Sequence, residues 1–192
     1  MDPPTGQFHE RVAGCRHDLT LDPAVAAGEG ISNALLSLGV TRIVEGGQTM
    51  NPSTEDLLQA VNRLPVDDII ILPNNKNIIM AASQVNELTD KTIAVVPSCS
   101  IPQGLSALAA FNREAPLQRN TEAMSGALDD VHAIEITEAV RDVELNGVNV
   151  VKGHLIGLLD GELVTSGESL EAIITTTLTA TQDLDPELLT VF

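Results

Sequence analysis

Asp68-Ile69-Ile70-Ile71-Leu72-Pro73-Asn74-Asn75-Lys76-Asn77-Ile78 passes from an unbroken apolar run, through a polar loop, into a segment with Ile78, Ile79, Ala82 and Val85 at helical spacing. A strand with one face in water alternates apolar and polar residues. An uninterrupted run instead suits a strand covered on both faces, as in a parallel sheet. The same unit stands on either side. Upstream, Thr41-Arg42-Ile43-Val44 reads as a strand, followed by a polar loop and a helix carrying Leu57, Leu58, Val61 and Leu64. Ser53 or Thr54 can cap that helix, with Glu55 and Asp56 favouring its positive end. Downstream, Thr92-Ile93-Ala94-Val95-Val96 is the next strand, leading through a Pro97–Gln103 loop into a helix with Leu105, Leu108 and Phe111. Strand, loop and helix in repetition imply right-handed βαβ crossovers.

Working outward, Ala24-Val25-Ala26-Ala27 and Gly28-Glu29-Gly30 precede a helix with Ile31, Leu35, Leu36 and Leu38. Residues 1–23 read as an irregular arm, because Pro3, Pro4, Gly6, Gly14 and Pro23 break every period. Beyond Pro116 the rhythm changes. A helix is expected over 117–131, then strands over 134–145, 148–151 and 154–159. Asn146-Gly147 and Asp160-Gly161 carry the two-residue hairpin signal. Leu170, Ile173, Ile174 and Leu178 give a last helix, and 187–192 reads as a strand that ends abruptly, as in a truncated chain. The expected fold is therefore α/β: a parallel sheet of βαβ units with helices on both faces, plus an antiparallel β-meander. The expected division is an arm over 1–23 and a single domain over 24–192. Its parallel part covers about 24–131, and the meander and last helix about 132–192.

The chain has 192 residues, 43% of them hydrophobic, and balances 10 Lys and Arg against 27 Asp and Glu for a net charge of −17. Such a field repels phosphate backbones, so no nucleic-acid partner is expected. Three Phe and no Tyr or Trp leave no stacking platform for bases. No apolar run approaches the roughly 18–20 residues of a membrane span, and a cytoplasmic location is expected. Two cysteines are too few for a disulfide framework.

In an open parallel sheet the strand-to-helix loops gather at the strands' carboxyl edge. Here they bring together Gly46, Gly47, Gln48, Thr49, Asn51, Ser53, Asn74, Asn75, Lys76, Asn77, Ser100 and Gln103, the candidate ligand- or partner-binding residues. Lys76 is the clear cation among them, and helix N-termini there would favour a carboxylate or phosphate. Asn, Ser and Thr are also the ordinary material of loops and caps. No loop matches a dinucleotide or P-loop fingerprint. No catalytic residue is assigned: His9, His17, His132 and His154 all lie off the rim loops, so Cys99 lacks the base a nucleophilic thiol needs. No metal site is assigned either, since His9, Cys15 and His17 offer three ligands in the arm. Lys91 precedes a strand and so lies at the opposite edge, an idle control for Lys76.

Three blocks carry a family resemblance: Glu45-Gly46-Gly47-Gln48-Thr49-Met50-Asn51-Pro52-Ser53-Thr54-Glu55-Asp56, Leu72-Pro73-Asn74-Asn75-Lys76-Asn77-Ile78, and Pro97-Ser98-Cys99-Ser100-Ile101-Pro102-Gln103-Gly104. With Ala139-Val140-Arg141-Asp142 and Gly153-His154-Leu155-Ile156-Gly157, they resemble the C-terminal region of the dihydroxyacetone-kinase-like family, of the fatty acid kinase, kinase-subunit type. The resemblance implies a non-catalytic partner- or ligand-binding domain that helps dock a fatty-acid-binding subunit for acyl phosphate formation. ATP and magnesium would belong to a kinase domain whose clustered aspartates are absent here, leaving no cofactor in this chain. The implied partners are that kinase domain and the fatty-acid-binding subunit, with a homodimer left open. The alternatives are a phosphatase- or hydrolase-type enzyme acting on a small phosphorylated substrate, and a purely architectural dimerisation domain.

Overall fold

The computed structural model describes residues 19–46, 51–145, 147–184 and 187–191. Four parallel strands form its first sheet: β1 (Thr20–Ala26), β2 (Ile43–Glu45), β3 (Asp68–Leu72) and β4 (Thr92–Val95). Their order is β2-β1-β3-β4. The helices between and after them are α1 (Glu29–Ser37), α2 (Thr54–Asn62), α3 (Lys76–Val85), α4 (Ile101–Ala109) and α5 (Leu117–Gly126). In β3, Ile69, Ile70, Ile71 and Leu72 are all fully buried, as the unbroken apolar run requires. Ile70 and Leu72 join a core with Leu35 of α1, Leu108 of α4 and Met124 of α5. Ile69 and Ile71 face the other way, onto Leu57 and Val61 of α2 and Ile78 and Val85 of α3. The sheet is thus covered on both faces, and alternate side chains of β3 are held by different sets of helices.

The first strand begins earlier than the sequence suggests. Thr20 to Pro23, assigned above to the arm, lie in the central strand β1, while residues 1–18 fall outside the described region. The register of β1 against β3 shifts between Leu21 and Ala24, on either side of the cis Asp22–Pro23 peptide. Asp22 is fully buried there. Its carboxylate accepts from the Thr41 N–H at 2.6 Å, the Arg42 N–H at 2.7 Å and the Thr20 and Thr41 hydroxyls. A buried carboxylate is tolerated only with donors around it, and these donors fix where β2 starts beside β1.

Lys91 is also no bystander. Its ammonium donates to the carbonyls of Val61, Leu64 and Val66, closing the C-terminal end of α2, where free carbonyls and the helix dipole favour a cation.

The second lobe is antiparallel. β5 (Ile134–Glu138), β8 (Leu155–Leu159) and β9 (Glu162–Gly167) form one sheet in the order β5-β8-β9. β6 (Val143–Leu145) and β7 (Val148–Val150) form a separate hairpin, so the single strand expected over 134–145 is two. The helix expected over 117–131 ends at Gly126, and residues 187–191 form no strand. At the β8–β9 turn Asp160 and Gly161 have φ of 51° and 81°, the left-handed pair that an Asp-Gly hairpin turn demands. Asn146 of the other hairpin signal lies outside the described residues.

The last helix, α6 (Leu170–Thr179), packs on β8 and β9 at very close range. A methyl group at Gly157 would overlap the Thr177 Oγ1 and sit 3.2 Å from the Ile173 Cγ2. Gly157→Ala should therefore push α6 off the sheet and cost roughly 1–3 kcal/mol in urea unfolding. Adding Thr177→Ala should recover part of that loss; no recovery would show that the clash is not what Gly157 avoids.

Candidate functional site

The loops after β1, β3 and β4 meet around Asn74, which is 7% exposed and has a φ of 54°. Asn is among the few non-glycine residues that accept this conformation. Its Nδ2 donates to the Val25 carbonyl at the end of β1 at 3.0 Å. Its Oδ1 accepts from the Ser98 hydroxyl at 2.8 Å, and its own N–H donates to the Ser98 Oγ at 3.0 Å. One amide therefore joins the ends of three strands. Gly104 makes room for it, because a side chain there would begin where the Asn74 Oδ1 now lies. Asn74 is a clamp beneath the rim.

Its neighbours start helices. The Asn75 Oδ1 accepts from the Asn77 N–H and caps α3. The Ser100 Oγ accepts from the Gln103 N–H and caps α4. Gln103 spends its oxygen on the Cys99 N–H and its nitrogen on the Leu128 carbonyl, fastening this loop to the chain that leads into the second lobe. Ser53 caps α2 in a reciprocal box with Asp56, while Asn51 is exposed. The Gly46 N–H continues the β1–β2 ladder to the Ala26 carbonyl. Gly47, Gln48 and Thr49 lie outside the described residues.

Asn75, Lys76, Asn77, Ser100 and Gln103 line one wall of a cleft of about 410 Å³. The other wall comes from the second lobe and includes Leu128, Asp129, His132, Glu135, Leu158 and Asp160. Lys76 reaches across it: its Nζ stands 3.5 Å from where a methyl on Gly161 would lie. His132, read from sequence as remote from the rim, faces the same cleft as Cys99. Its Nδ1 is 2.7 Å from the Asp160 Oδ2, while the Asp160 Oδ1 accepts from the Ala133 N–H. The Cys99 thiol is exposed and hydrogen-bonds the Pro97 carbonyl at 3.6 Å. Only the folding of one lobe against the other brings His132 here, and no local motif announces it. Among the described residues, no group of three or more His, Cys, Asp or Glu could hold a metal ion. His9, Cys15 and His17 lie outside them.

A doubly wound parallel lobe joined to an antiparallel one across a polar cleft defines a two-lobed α/β domain. The chain belongs to the FakA-like C-terminal family of fatty acid kinase, whose model matches residues 23–192. It is 43% identical over 145 residues to Protein YloV of Bacillus subtilis (strain 168), covering 76% of this chain and 26% of that protein. It is 40% identical over 167 residues to an uncharacterized protein of Staphylococcus aureus (strain USA300), covering 87% of this chain and 30% of that one. The chain thus spans less than a third of the length of these curated relatives. Among the described residues no helix is long and apolar enough to cross a membrane.

Asn74→Ala should cost roughly 2–4 kcal/mol of unfolding free energy, since it leaves two buried partners unsatisfied at about 1–3 kcal/mol each. Asn75→Ala, which loses only a cap, should cost about 1 kcal/mol. Equal losses in urea titrations would show that Asn74 is no clamp. A second test uses acid. The Asp56 carboxyl is held below its ordinary value of 3.8 by the Ser53 hydroxyl and then by the Ser53 N–H. A depressed folded pKa stabilises fully above the unfolded value and is lost as the pH falls through the folded one. Amide exchange in the first turn of α2, corrected for its intrinsic rate, should accelerate below pH 3.8, and Asp56→Asn should remove that acid dependence.

Proposed function

We propose that this chain is a non-catalytic docking domain of a fatty acid kinase-type phosphotransferase. It holds a fatty-acid-binding partner subunit while a kinase domain elsewhere in the longer polypeptide, with its own ATP and magnesium, phosphorylates the acyl carboxylate. Family membership supports the kinase setting. The observation that carries the docking role is Lys76: exposed on the rim at the start of α3, it has no hydrogen-bond or ion-pair partner among the described residues. A cation left free in a chain of net charge −17 is suited to an acidic group on a partner. Charge-assisted hydrogen bonds are about twice as strong as neutral ones.

A hydrolase reading draws on Cys99 and the His132–Asp160 pair facing one cleft. It is the weaker of the two, because the thiol's hydrogen bond goes to the Pro97 carbonyl and none joins it to His132.

Calorimetric titration against the acyl-loaded partner subunit tests the docking role. Lys76→Ala should weaken binding by roughly 1–3 kcal/mol with folding intact. Lys152→Ala, on the exposed turn between β7 and β8, should bind as wild type does. Lys91 is unsuitable as a control because it closes α2. Equal affinities of wild type and Lys76→Ala would remove the rim as the docking surface.

A further inference from the structure

We infer that the cleft between the lobes is a binding site for a small-molecule oxyanion, a carboxylate or a phosphate, seated on the α3–α4 side. The inference rests on the docking reading only in sharing Lys76, and it names a ligand where that reading names a protein.

Three kinds of donor converge on that wall. Asn75 is 7% exposed, and the surface it keeps opens into the cleft. Its oxygen is taken by the Asn77 N–H, yet its Nδ2 has no partner among the described residues. A nearly buried amide nitrogen left without an acceptor is a group that a ligand, or an ordered water in its place, normally satisfies. Lys76 adds an unpaired ammonium beside it. The main-chain N–H groups of Lys76 and Ser100, at the starts of α3 and α4, also have no acceptor among the described residues. Helices of this length present positive ends there.

The facing wall carries Asp129, Glu135 and Asp160, which would repel an anion placed against it. Asp160 is already engaged, with its Oδ1 on the Ala133 N–H and its Oδ2 on His132, and Glu135 has an interaction of its own. The asymmetry therefore sets an orientation: the oxyanion sits against α3 and α4, and the rest of the ligand extends toward the antiparallel lobe. At about 410 Å³ the cleft has room for more than a bare anion, within the range of ordinary small-molecule sites.

The test is an NMR titration of the 192-residue chain with inorganic phosphate, acetyl phosphate and acetate, following the Asn75 side-chain amide and the Lys76 N–H. At least one probe should shift both signals saturably. Lys76→Met should weaken that binding about tenfold or more, while Lys76→Arg and Lys152→Met should retain it. Binding of phosphate and acetyl phosphate without acetate assigns a phosphate ligand; binding of acetate assigns a carboxylate. No saturable shift with any probe, or Lys76→Met binding as tightly as wild type, would overturn the inference. The two uses of Lys76 separate cleanly. Partner docking that depends on Lys76 in a chain that binds none of the probes leaves the docking reading standing alone. Oxyanion binding that depends on Lys76, with docking indifferent to it, leaves this inference standing alone.

Discussion

The hydrogen bonds of Asn74 hold the working edge of the molecule in place. Parallel strands present their carboxyl ends as a row of chain exits that must each turn over into a helix, and nothing in the ladder fixes those exits relative to one another. Here one buried amide bridges the end of β1, through the Val25 carbonyl, and the loop after β4, through Ser98, while its own backbone leaves β3. The starts of α3 and α4 are placed by that bridge. So are the side chains of Asn75, Lys76 and Ser100 that follow from it. Buried polar networks are costly when half satisfied and rigid when complete, and this one is built from side chains that are themselves almost wholly inside.

At the other end of the same strands a second polar cluster has the matching task. Asp22 interrupts an apolar strand, and its carboxylate gathers the donors that open β2. Lys91 meets the carbonyls at the close of α2. The apolar cores above and below the sheet supply its cohesion, but they would tolerate many small shifts between layers. The polar anchors at its two edges are directional, and they convert a cohesive sandwich of helices and strands into one with a defined rim.

These features differ in how far sequence alone reveals them. Burial on both faces of β3 follows directly from four consecutive aliphatic residues, and the Asp160-Gly161 turn from the left-handed conformation it needs. The cap at Ser53 has its reciprocal acid three residues on. Such signals are local, and they read well. Asn74 and Asn75 are adjacent and chemically identical, yet one is a clamp and the other a cap with a nitrogen to spare, a difference set by partners 49 and 24 residues away in one case and two in the other. Asp22 reads as a break in a strand because a lone carboxylate in an apolar run usually is one. The donors that make it tolerable arrive 19 and 20 residues later. His132 reads as remote because nothing in its neighbourhood says which lobe it will face. Long-range pairing decided each of these.

The route of the chain between the lobes has a mechanical consequence. Ser106 and Gln103 hold the carbonyls of Ala127 and Leu128 to the first lobe, and the Ala133 N–H is already bound to Asp160 of the second. The covalent bridge is thus anchored at both ends, leaving residues 129–132 as the span in which backbone rotation can move one lobe against the other. A pivot that short permits opening and closing far more readily than sliding. Asp129 and His132 sit on that pivot and on the wall of the cleft at once, so the width of the opening and the charge it presents are set by the same few torsion angles.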